Sequence, residues 1–247
     1  IGGFLMGLDV ALAPNVRAGV FGGFSQSQFD VTDRSSSGSM NNVDLGVYAG
    51  AQFGAFALRG GASYTWHDVS MNRTVAFPGF SQAVEGGYNT GTTQVFGEIG
   101  YDFAVGAYAF EPFAGLAYVH VAGASLTEGG GSAGLSVSTS GMDTTYSTLG
   151  LRVATTLQVW GSTLTPHAMI GWQHAFGDTT PISTMQFLGG TTPFSVSGVP
   201  IAEDAVLLQA GLTYALSPKA SLGASYTSQL ASTAAQNAFT AQFSLKF

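Results

Sequence analysis

Phe239-Thr240-Ala241-Gln242-Phe243-Ser244-Leu245-Lys246-Phe247 alternates without a break, apolar at every odd position and polar at every even one. A period of two places successive side chains on opposite faces of a strand, so this segment predicts a strand between two unlike environments. The pattern recurs at Val206, Leu208, Ala210, Leu212, Tyr214 and Leu216 against Leu207, Gln209, Gly211, Thr213 and Ala215. It appears again at Leu149, Leu151, Val153, Thr155 and Leu157 against Gly150, Arg152, Ala154, Thr156 and Gln158. Followed along the chain, the alternation predicts about eleven strands, over 2–12, 16–29, 42–53, 56–70, 92–104, 107–122, 144–159, 162–176, 204–216, 220–230 and 237–247. Strands of soluble proteins usually run about 5 or 6 residues, whereas a tilted membrane-spanning strand needs about 9 to 11. All of the predicted spans reach the longer figure.

The connections alternate in length. Ala13-Pro14-Asn15, Gly54-Ala55, Val105-Gly106, Trp160-Gly161 and Ser217-Pro218-Lys219 are read as tight turns. Between them lie longer links around Asp30–Asn41, Met71–Gly91, Gly123–Asp143, Gly177–Glu203 and Ala231–Gln236. Outer-membrane barrels have short periplasmic turns and long extracellular loops. This order therefore predicts an antiparallel up-and-down β-barrel in the outer membrane, with its C-terminus periplasmic. An antiparallel barrel closes with an even strand number. Eleven strands imply that at least one further strand precedes Ile1 and pairs with both the first and the last. The chain opens without an initiator Met or a signal peptide, so Ile1 is not expected to be the biological start.

Composition points the same way. Only 9% of residues are charged, against about 25% in soluble domains, and Gly accounts for 35 of 247. No cysteine is present, which removes disulfides, thiolate metal sites and thiol nucleophiles. A net charge of −7 with only 7 Lys+Arg provides no basic face for nucleic acid. No run of 18 apolar residues predicts a transmembrane helix.

If one face meets lipid, charges must occupy the other. Arg17, Asp44, Arg59, Glu98, Arg152 and Lys246 fall on the polar side of their strands. Glu111 joins them if Tyr108, Phe110, Leu116 and Tyr118 point outward, which puts Pro112 on the lipid side, at a bulge. A basic residue on the lipid face costs roughly 2 to 4 kcal/mol at mid-depth. Gly19, Gly46, Gly61, Gly115, Gly211 and Gly223 lie on the luminal side and are read as leaving room for a lumen occupant. Trp66, Tyr101, Phe103, Trp160, Trp172 and Phe247 near strand ends fit interfacial aromatic girdles.

Stretches along the whole length resemble the autotransporter β-domain family, the translocators of type V secretion. They are Gly2-Gly3-Phe4-Leu5-Met6-Gly7-Leu8-Asp9, Arg59-Gly60-Gly61-Ala62-Ser63-Tyr64 and Glu111-Pro112-Phe113-Ala114-Gly115-Leu116-Ala117-Tyr118-Val119. Ser147-Thr148-Leu149-Gly150-Leu151-Arg152, Thr165-Pro166-His167-Ala168, Gly171-Trp172-Gln173-His174 and Pro193-Phe194-Ser195-Val196-Ser197-Gly198 continue the resemblance, and Phe243-Ser244-Leu245-Lys246-Phe247 completes it. The resemblance implies a single 12-strand translocator domain over 1–247 with the first strand, the linker helix and the passenger missing from this chain. It further implies a monomeric barrel in outer-membrane lipid that exports its own N-terminal passenger, with the barrel-assembly machinery and periplasmic chaperones as partners and no cofactor. Phe243, Leu245 and Phe247 then correspond to the terminal signal read by the assembly machinery. Arg17, Asp44, Arg59, Glu98, Glu111 and Arg152 become candidates for contact with the linker or passenger, or for a structural ion network. The alternative is a self-standing porin or barrel enzyme. Some members cut their linker autocatalytically, a reaction this chain lacks the linker to show.

An enzymatic site finds little support. His167 and His174 differ by seven in one predicted strand and face opposite sides. Gly130-Gly131-Ser132-Ala133-Gly134 matches the nucleophile-elbow pattern but lies in a Gly/Ser-rich link and not between a strand and a helix. His67-Asp68 completes no triad, and no HExxH-type spacing points to a metal. The long loops are read as flexible, with binding of a receptor, phage or host matrix as the alternative.

Overall fold

The computed structural model describes residues 1–31 and 35–246, all strands and connections with no helix among them. The chain opens with β1 (Gly2–Ala13), β2 (Val16–Val31), β3 (Ser36–Phe53), β4 (Phe56–Phe77), β5 (Phe80–Tyr101) and β6 (Phe103–Val105). There follow β7 (Tyr108–Val121), β8 (Ala124–Thr127), β9 (Leu135–Thr139), β10 (Met142–Thr155), β11 (Leu157–Val159) and β12 (Ser162–Gly177). The last are β13 (Ile182–Phe187), β14 (Phe194–Ser197), β15 (Asp204–Ala215), β16 (Ala220–Ala231) and β17 (Ala235–Leu245). The main sheet runs β1-β2-β3-β4-β5-β7-β10-β12-β15-β16-β17, with β6 and β11 as short continuations against β7 and β12. Every neighbour in this path is antiparallel and next in line, so the eleven long strands are those the alternation predicts. Among the described residues β1 and β17 each pair on one side only.

The register sorts the side chains. One row crosses all eleven strands through Ala13, Val16, Ala51, Leu58, Ile99, Ala114, Leu149, Trp172, Val206, Leu230 and Ala235. Every member is apolar. At about 4.8 Å per strand the row is about 50 Å long. Soluble monomers rarely expose contiguous apolar patches beyond a few hundred Å². On the opposite face, side chains reach over an intervening strand: Tyr48 donates to Asp9 across β2 at 3.2 Å, and Gln229 to Gln173 across β15 at 3.2 Å. Such reach marks the concave side, the bore of a barrel wall.

Four of the six luminal glycines, Gly19, Gly46, Gly61 and Gly211, are filled by their neighbours, which corrects the expectation of free room there, while Gly115 and Gly223 have only ordinary contacts. The space a side chain would take at Gly46 holds the Phe21 ring; at Gly61 the Phe96 ring lies at 2.9 Å and at Gly150 the Phe113 ring at 2.5 Å. Aromatic rings lie across gaps in the adjacent strand, so these glycines serve wall packing.

The turns need small adjustments. The third tight turn is Gly106-Ala107, one residue later than expected, with Val105 paired to Tyr108 and Gly106 at φ +62°. Pro112 sits in no bulge. Strand pairing stops at Gly100–Phe113 and resumes at Phe103–Phe110 in unchanged register, a gap that answers to the missing N–H of proline.

The long connections depart most from expectation. Met71–Gly91 is no loop but the outer part of the β4–β5 hairpin, closed at Pro78-Gly79 with Phe77 paired to Phe80. Proline at the first and glycine (φ +86°) at the second corner suit a type II turn. The stretches Gly123–Asp143 and Gly177–Glu203 do not remain irregular. They form a second sheet in the order β14-β13-β9-β8.

Candidate functional site: the charged inner wall

Strand parity brings four of the predicted luminal charges together. Arg59 donates from Nη1 to Glu98 Oε1 (2.8 Å) and to Glu111 Oε1 (2.7 Å), and from Nη2 to Glu111 Oε2 (2.7 Å). Arg152 reaches from the other side of β7, donating to Glu98 at 2.8 and 2.6 Å and also to Glu111. Its guanidinium carbon lies 3.8 Å above the Phe113 ring. Each carboxylate is thus held by two arginines, and the planar guanidinium groups supply the forked donors that make this possible. The glutamate side chains are only 16% and 12% exposed, and the arginines 41% and 35%. The quartet stitches β4, β5, β7 and β10 across the bore.

The remaining predicted charges stand apart. Arg17 donates to Asp9 from Nε at 2.7 Å, and Tyr48 completes that group. Asp44 accepts from Thr65 Oγ1 at 2.6 Å. Phe243 and Leu245 lie on the outward face beside Leu222 and Ala220, while Phe247 falls outside the described residues.

Sequence reasoning missed several partners. Asp9 was legible, because it faces luminal Gly19 in register. A polar ladder also went unread: Asn42 donates to Ser25 Oγ at 3.0 Å, and His67 lies 2.7 Å from Asn42 Oδ1 and 2.8 Å from Thr92 Oγ1. On the outward face His120 and Tyr118 meet Asp143, and His174 and Trp172 meet Asp204 at 2.8 and 2.9 Å. Each of these histidines is engaged by neighbours other than serine, and Ser132 stands between β8 and β9 in the second sheet. His167 packs against luminal Gly211 while His174 points outward, as their spacing implied.

The sequence model described as Autotransporter beta-domain matches residues 1–227. The chain belongs to the autotransporter β-domain family. The β-domain is 35% identical over 245 residues to an extracellular serine protease of Serratia marcescens, covering 99% of this chain and 23% of that protein. A second extracellular serine protease of that organism is 33% identical over the same length. The chain therefore spans about a quarter of the length of these relatives. Among solved structures, the translocator domain of the autotransporter NalP from Neisseria meningitidis superposes with a TM-score of 0.78 at 15% identity, over 98% of this chain and 79% of that one. The β-domain of the Bordetella autotransporter BrkA gives 0.73 at 21% identity, over 99% and 90%. The all-β fold is that of the outer-membrane translocator barrels of Gram-negative bacteria, and the whole-length match favours this reading over a self-standing porin.

Proposed function

We propose that this β-domain carries a passenger, attached on its N-terminal side, across the outer membrane and anchors it there. The carrying observation is the division of the wall: an unbroken apolar row outside and a satisfied, hydrogen-bonded ion quartet inside. In hydrocarbon every backbone group must be paired, so such a wall functions only when closed. A strand from the preceding part of the protein, pairing with both β1 and β17, completes twelve. The turns Pro14-Asn15, Gly54-Ala55, Gly106-Ala107, Trp160-Gly161 and Ser217-Pro218-Lys219 lie at the end where β17 finishes, while the opposite end carries the extended β4–β5 hairpin and the two connections that build the second sheet, an asymmetry that supports a periplasmic C-terminus. Arg17, Asp44, Arg59, Glu98, Glu111 and Arg152 line the path of the linker. Phe243 and Leu245 on the outward face of β17, together with the terminal residue Phe247, form the signal read by the assembly machinery and its chaperones. Any catalytic step belongs to the passenger.

The test is surface display from the full gene product. An epitope in the passenger should be cleaved by protease added to intact cells, and deleting residues 1–247 should leave it protected inside. Equal exposure with and without the barrel would overturn the reading.

A further inference from the structure

The second sheet does not stand free. Leu126, Leu135 and Val137 form its buried centre and pack against Met71, Tyr88 and Met185. Met71 and Tyr88 belong to the β4–β5 extension and share the face of the luminal residues Thr65, His67 and Thr92. Two connections, β7 to β10 and β12 to β15, therefore fold together and lean inward over the bore from the long-loop end.

One ion pair fixes that position. Arg73, on the inner face of β4, donates from Nε and Nη2 to both oxygens of Glu128 at 2.7 and 2.6 Å, and from Nη2 to the Ala133 carbonyl at 2.9 Å. Glu128 is 7% exposed and also accepts from the Leu135 backbone N–H at 2.9 Å. A single antiparallel bridge, Glu85 with Gly129, adds backbone bonds of 3.1 and 2.8 Å, and Gln82 accepts from Ala133 N–H at 2.7 Å. The polar attachment consists of the bidentate pair, the bridge and the hydrogen bonds of Ala133 beside the apolar contact with Met71 and Tyr88, whereas the sheet's internal strands are joined by continuous ladders.

We propose that the four-stranded loop sheet is a cover over the extracellular mouth, latched to the β4–β5 hairpin by Arg73–Glu128, that swings away for a polypeptide to pass. The proposal rests on the translocator reading, and the test separates the two.

Glu85 and Gly129 exchange both backbone hydrogen bonds, which sets their Cα atoms about 5.5 Å apart, within disulfide reach. A side chain at Gly129 meets nothing within 4 Å, and the chain has no cysteine of its own. In the full-length product, Glu85→Cys with Gly129→Cys should hold the passenger protease-protected while oxidised, and dithiothreitol should restore display. Separately, Val137→Cys on intact cells should react slowly with a membrane-impermeant maleimide, and several-fold faster once Glu128→Gln is added. Normal display with the disulfide shown to be formed, or equal labelling with and without Glu128→Gln, would overturn the cover. If Glu128→Gln fails to assemble, the disulfide decides. Absence of display in the unaltered protein would sink the translocator reading instead, leaving the labelling comparison to judge the latch.

Discussion

At the scale of single residues, parity decides cost. Leu212 is 50% exposed on the outward face and Thr213 points into the bore. Leu212→Arg should cost roughly 2 to 4 kcal/mol near mid-depth, while Thr213→Arg should cost far less, as read from the fraction of SDS-resistant barrel after refolding. Equal losses would reverse the facing. Arg152→Met leaves Glu98 and Glu111 with Arg59 alone. The expected loss is about 2–3 kcal/mol, below the range for breaking a fully buried pair because these groups are partly solvated. A lowered temperature of the gel-mobility transition checks it. The individual luminal charges were legible because strand alternation places them. Their assembly into a quartet was not, since Arg59 and Glu111 are 52 residues apart and only the register brings them within 2.7 Å.

Among elements, the long strands were readable and the long connections were not. Alternation over Val206–Leu216 needs no tertiary information. The β8, β9, β13 and β14 strands are 4 to 6 residues long, and their apolar positions acquire meaning only against Met71 and Tyr88. The Pro78-Gly79 turn lies within the stretch Met71–Gly91 that the sequence reading takes as one long link, although a Pro-Gly pair between Phe77 and Phe80 is a hairpin signal. Gly79 holds φ +86°, where a branched side chain is strained by about 1–2 kcal/mol. Gly79→Val should fray the outer hairpin and raise trypsin cleavage after Arg73 on intact cells. An unchanged cleavage rate would show that the turn does not hold the extension.

For the molecule as a whole, the two half-paired margins set the conditions of folding. A sheet edge in hydrocarbon leaves N–H and C=O groups without partners at several kcal/mol each. Residues 1–247 alone should therefore give little SDS-resistant, heat-modifiable species. The product that includes the preceding residues should give it in high yield. Resistance from 1–247 alone would mean that β1 and β17 close on each other. Inside the finished cylinder, two guanidinium and two carboxylate groups cancel, as do Arg17 and Asp9 beside them. On the translocator proposal, a filament threading past them meets both signs within a short reach, and Asp44, held by the Thr65 hydroxyl, adds an acidic point further along the gangway.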